Sequence, residues 1–63
     1  MNNSWTIYGN FRANDGRIYI YTIDITHDEF TAIETAKKVL NEQKNCVSLY
    51  ITNGNGKCRF ITR

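Results

Sequence analysis

The chain has 63 residues, 41% apolar and 13% aromatic, with no proline and a net charge of +2. That length allows one domain, 1–63, holding about 3–5 kcal/mol of stability unless it is stapled or self-associated. The charge argues against an acidic DNA mimic and does not by itself imply a nucleic-acid partner. The composition is not that of a disordered segment, and no run approaches the ~18 apolar residues of a membrane span.

The first four residues, Met1-Asn2-Asn3-Ser4, lack the charged and apolar regions of a secretory leader. The expected location is therefore cytoplasmic. Cys46 and Cys58 are expected there as two free thiols.

The first predicted element is a hairpin of Ser4–Arg12 with Arg17–Ile25. Asn14, Asp15 and Gly16 suit a three-residue loop, with Gly16 supplying a positive φ, and this pairs Ala13 with Arg17. Counting outward pairs Phe11 with Tyr19, Gly9 with Tyr21, Ile7 with Ile23 and Trp5 with Ile25. Cross-strand partners share a side, so all eight belong to one face. A two-residue Asp15-Gly16 turn would pair Ile7 with Asp24 and sink a carboxylate in the core, at a cost of about several kcal/mol.

A helix follows. Thr26-His27-Asp28-Glu29 reads as a capping box, with Thr26 as cap and Glu29 reaching back. Ile25 and Phe30 stand where a hydrophobic staple stands. Phe30, Ile33, Ala36, Val39 and Leu40 recur at helical spacing and form one apolar stripe. Glu34 and Lys38 make an i,i+4 pair on the wet face. Lys44 suits the negative end of the dipole, and Asn45 a left-handed cap.

The second hairpin is Cys46–Thr52 with Lys57–Thr62, turned by Asn53-Gly54 or Gly54-Asn55. Either turn puts Val47, Leu49, Ile51, Cys58 and Phe60 on one face. The expected fold is then α+β, ββαββ: a four-stranded, mainly antiparallel sheet of order 2-1-3-4 with the helix on one face. Gly9 is expected beneath the helix, allowing close approach.

The other face is left uncovered. It is expected to carry Tyr8, Asn10 and Arg12; Ile18, Ile20 and Thr22; Ser48, Tyr50 and Thr52; and Lys57, Arg59 and Ile61. Tyr and Arg are the types favoured at binding hot spots. The candidate binding residues are Tyr8, Ile18, Ile20 and Tyr50 as anchors, with Arg12 and Arg59 at the rim. The plainer reading is that strand propensity alone put Ile and Tyr there.

Catalytic and metal chemistry is not indicated. His27 reads as a first-turn surface residue, and Cys46 and Cys58 have no CxxC or Cys/His companions. Cys58 is expected in the core and inert. The glycines of "NGNGK" are not followed by a helix, as a phosphate loop requires. No enzyme, metal or cofactor is expected.

The run "TIYGNFRANDGRIYIYTIDITHDEFTAIETAKKVLN", with Tyr8, Gly9, Phe11 and Arg12 in its first strand and two short strands after it, resembles the phage-encoded antitoxins known as discriminators of mRNA degradation. Some small anti-CRISPR proteins share this order of elements. The likeness contains no diagnostic motif, and no binding residue is carried over from it. It implies a compact phage protein that inhibits a host defence protein by binding it. A binder of a host protein is therefore the leading expectation. Single-stranded nucleic-acid binding through aromatics and Arg12, Arg17, Lys57, Arg59 and Arg63 comes second. A homodimer joined through the open face is the third.

Overall fold

The computed structural model describes residues 4–63, so the reading of Met1 to Asn3 as leaderless lies outside the described residues. In chain order the elements are β1 (Trp5–Arg12), β2 (Ile18–Thr26), α1 (Glu29–Glu42), β3 (Cys46–Thr52) and β4 (Cys58–Thr62). They form one antiparallel sheet in the order β2-β1-β3-β4 with α1 packed on one side, the expected α+β architecture and strand order.

The first hairpin closes as its loop count requires. Ala13 N–H donates to Arg17 O at 2.8 Å, Gly16 N–H to Ala13 O at 2.9 Å, and Gly16 takes a φ of 85°. Phe11 pairs with Tyr19 and Gly9 with Tyr21. Beyond Thr22 the register slips by one at a β-bulge, so Ile7 pairs with Asp24, Thr6 with Ile25 and Trp5 with Thr26. The expected Ile7–Ile23 and Trp5–Ile25 pairs therefore do not form. The extra residue lets Ile23 pack against the core while the Asp24 carboxylate stays outside, accepting from Ile25 N–H at 2.8 Å. Thr26 is buried in place of Ile25, which is 60% exposed.

Helix α1 starts two residues later than expected. Thr26 is drawn into the strand, and its hydroxyl donates to Asp28 O at 2.9 Å. Asp28 is the cap: its carboxylate accepts from Thr31 N–H at 2.6 Å and from the Thr31 hydroxyl at 3.1 Å. These bonds hold the Asp28 carboxyl below its ordinary value of 3.8. The buried stripe is Ala32, Ala36 and Leu40, flanked by half-buried Ile33 and Val39. Phe30 lies about 120° around the helix from that stripe and is 73% exposed, so no staple forms with Ile25. Two alanines bring the helix backbone close to the sheet.

The helix ends at Gln43, whose N–H donates to Val39 O at 2.8 Å. No non-glycine residue among those described has a positive φ, so Asn45 is not a left-handed cap. No basic residue lies in the last turn, Lys44 falling beyond the cap. Arg63 instead reaches back from the end of β4 and donates to the carbonyls of Gln43, Lys44 and Cys46. Glu34 and Lys38 are not among the ion pairs formed by the described residues.

The second hairpin departs most from expectation. Asn53 pairs with Lys57 around a three-residue loop, Gly54-Asn55-Gly56, with Asn53 N–H donating to Lys57 O at 3.2 Å. Thr52 then pairs with Cys58, Tyr50 with Phe60 and Leu49 with Ile61. Both expected turns have two residues, and one more residue turns every β4 side chain to the opposite face. Ile61 therefore packs on the core, while Phe60 is 72% exposed and Cys58 is exposed. A second bulge, between β1 and β3 beside Val47, exposes Val47 and buries Cys46. Gly9 also has a different role. A Cβ there would lie 2.6 Å from the Phe11 ring and 3.2 Å from Ile23 Cδ1, so side chains of the sheet, rather than the helix, occupy the space.

Leu49 is fully buried and Phe30 is not. In urea unfolding, Leu49→Ala is expected to cost about 2–5 kcal/mol and Phe30→Ala about 0.5 kcal/mol or less. Asp28 has a lowered folded pKa, so its contribution is present above the unfolded value of 3.8 and fades as pH falls through the folded one. Asp28→Ala is expected to lower stability at neutral pH, with the difference shrinking in urea titrations well below pH 3.8.

Candidate functional site

Cross-strand pairing builds the uncovered face in rows. Thr22, Tyr8, Tyr50 and Phe60 form one row across all four strands. Ile20, Asn10, Ser48 and Thr62 form the next, and Ile18 stands beside Arg12 beyond it. On the other flank lie Ile25, Thr6, Thr52 and Cys58. Polar residues at the centre are tied down, with Asn10 Nδ2 donating to Ser48 Oγ at 3.0 Å.

The aromatic row is continuous over three adjacent strands. The ring centroids of Tyr8 and Tyr50 are 6.1 Å apart with planes at 33°, and those of Tyr50 and Phe60 are 5.0 Å apart at 50°. These are tilted ring contacts of the kind that stabilise neighbouring strands. They also leave a broad apolar ridge facing outward. Ile20, 69% exposed, and Ile25 extend the apolar surface along β2. A hydrogen bond with the Cys58 side chain holds the Tyr50 phenol above its ordinary value of 10.0.

Five of the six candidate residues, Tyr8, Arg12, Ile18, Ile20 and Tyr50, share this face. Arg59 does not. It pairs with Ile51 on the helix side and forms an ion pair with Glu29 at the start of α1. Ile61 turns inward with it. Arg17 is held in the first loop by Asp15, and Arg63 by the carbonyls after α1. Sequence reasoning missed Phe60 and Ile25. Two glycines flanking Asn55 were the available signal for Phe60, since Gly54 and Gly56 take φ of 78° and 92° and fit a loop longer than two residues. No sequence signal marked the bulge that turns Ile25 outward.

Searches against protein-family models, curated proteins and solved structures found no match to this chain.

The helix side has a second feature. Tyr19 and Tyr21 face α1 but remain exposed, and with Phe11, Ile23 and Val39 they line a groove of about 410 Å³. Phe11 and Tyr21 meet edge to face, with centroids 5.8 Å apart. Strand β2 is therefore apolar and open on both sides. Among the described residues no group of three or more His, Cys, Asp or Glu is placed to hold a metal ion, and no helix is long and apolar enough to cross a membrane.

The two thiols differ sharply. Burial pushes the Cys46 thiol up, while Cys58 stands on the open face. Under native conditions a maleimide is expected to label Cys58 at once and Cys46 only on unfolding. Peptide mapping that found Cys58 protected along with Cys46 would put β4 in the other register.

Proposed function

We propose that this chain is a non-enzymatic protein-binding module, a phage or mobile-element inhibitor or adaptor that acts on a host protein through its open sheet face. The observation that carries the reading is the aromatic row Tyr8, Tyr50 and Phe60, flanked by exposed Ile18, Ile20 and Ile25. Exposed apolar residues gathered on one face are unusual for a monomer and characteristic of contact surfaces. Tyrosines supply large, rigid area with a polar tip, and Arg12 supplies a rim charge. The inhibitor role draws on the likeness in element order to phage antitoxins.

Single-stranded nucleic acid is the second reading, and the same row favours it, since bases stack on exposed rings. Against it stands the distribution of charge. Arg59 is engaged with Glu29 on the other side, Arg63 is held by the carbonyls after α1, and Arg17 projects from the first loop, away from the aromatic row. Lys57 borders the same hollow as Glu29 and Arg59, and Arg12 stands two rows from the aromatic one at a corner of the face, too little for a phosphate track.

The test compares the parent with a Tyr50→Ser, Phe60→Ser double variant. Affinity capture from host lysate is expected to lose its partner with the double variant, while urea unfolding shifts by about 1–2 kcal/mol. Undiminished capture would remove the sheet face from consideration. Titration with labelled single-stranded RNA is expected to show no binding at physiological salt. Tight binding that weakens steeply with added salt would replace this reading with the second one.

A further inference from the structure

We infer that β2 is a self-pairing edge, through which two copies of this chain join into one continuous eight-stranded sheet. The inference is independent of what the open face binds. It rests on the direction of the backbone groups. Ala13 N–H donates to Arg17 O, so the hydrogen-bonded pairs alternate from there to Phe11–Tyr19 and Gly9–Tyr21. The N–H and C=O groups of Ile18, Ile20 and Thr22 consequently point away from β1. On that side no strand among the described residues pairs with them.

The two edges of the sheet differ. Strand β4 has five residues and carries Arg59. Strand β2 has nine, and Ile18 to Ile23 contains no charge and no proline, the devices that blunt an edge. The bulge after Thr22 ends the flat stretch, leaving Ile18–Thr22 as the segment available for pairing. That segment is complementary to itself. A two-fold axis through Ile20 pairs Ile20 with the second copy's Ile20, and Ile18 with its Thr22. Each of those pairs joins residues whose backbone groups point outward, as an antiparallel ladder requires.

Side chains agree with that register. Tyr19 falls opposite the second copy's Tyr21 in the closer, non-hydrogen-bonded positions, where aromatic pairs gain most. These rings lie on the outer side of the groove under α1, and pairing shields it from water. No like charges meet across the axis. With Tyr19 and Tyr21 43% and 56% exposed and Ile18 and Ile20 46% and 69%, the pair buries at most about 600 Å² of apolar side chain. Stable interfaces begin at about 1,200 Å² in total, of which somewhat over half is apolar, so this pair sits just under their lower edge and the dimer is a concentration-dependent one.

Sedimentation equilibrium of the full chain from micromolar to millimolar concentration tests this, together with amide exchange at both ends of that range. The expected result is a mass rising from monomer toward dimer. Protection rises with concentration at the amides of Ile18, Ile20 and Thr22, while Tyr19 and Tyr21, already bonded to β1, stay unchanged. Ile20→Pro removes an N–H that β1 does not use, and is expected to remain monomeric; Phe60→Ser is expected to dimerise like the parent. A strict monomer at millimolar concentration overturns the inference. So does a dimer that Phe60→Ser abolishes, or one that leaves the three amides unprotected. If Ile20→Pro fails to fold, the exchange pattern of the parent still decides.

Discussion

One helix, about 10 Å across, cannot cover four strands spaced about 4.8 Å apart. That mismatch governs the rest of this molecule. Ala32, Ala36 and Leu40 seat α1 over β1 and β3, where Ile7, Leu49 and Ile51 are fully buried. The two outer strands receive only the margins of the helix. On the β4 side the shortfall is met by polar contacts: Arg59 reaches Glu29, and Arg63 closes the carbonyls after the helix. On the β2 side it is not met. Tyr19, Tyr21 and Ile23 border an open groove, and Ile18, Ile20 and Ile25 stand on the opposite face. The proposed edge grows from this geometric deficit, and the proposed docking face from the lack of a second layer on the other side of the sheet.

What could be read from the sequence ended where backbone regularity ended. The Asn14-Asp15-Gly16 loop fixes pairing as far as Thr22, and up to that point every residue of the first hairpin faces as its count requires. The bulge at Ile23 resets the register without a glycine or proline to mark it. The carboxylate of Asp24 was the obstacle that ruled out one register from the start; the chain resolves it locally instead, keeping Ile23 in and Asp24 out. The helix was legible in place but not in detail. Two residues competed for its cap, and Thr26 lost to Asp28 because pairing with Trp5 holds Thr26 in the strand. Ile33, Ala36, Val39 and Leu40 of the expected stripe do pack on the sheet, and Phe30 does not; Ala32 escapes notice because alanine carries little hydrophobic weight, although small side chains are what a close helix–sheet approach needs.

The same divide runs through the candidate face. Tyr8, Ile18 and Ile20 follow from the first turn, and Tyr50 follows from the alternation of β3 beyond its bulge. Phe60 and Arg59 depended on the length of a turn for which the sequence offers more than one closure, and they exchanged places. That exchange changes the chemistry of the surface. A ridge expected to end in a guanidinium ends in a phenyl ring, and the aromatic row runs unbroken from β1 to β4 with the cation of the face confined to one corner.

The three-residue Gly54–Gly56 loop has a further consequence, in how this surface can vary by descent. Gaining a single codon between Gly56 and Lys57, with the three-residue closure kept, would shift every later pairing by one and rotate β4 as a unit. Phe60 would enter the core, while Arg59 would leave Glu29 and come to stand beside Tyr50. One in-frame insertion thus exchanges an oily ridge for a cationic one without altering any other strand. A lineage under pressure to change its target would find in this loop a discrete step between two recognition chemistries, where point substitutions on the face offer only gradual change.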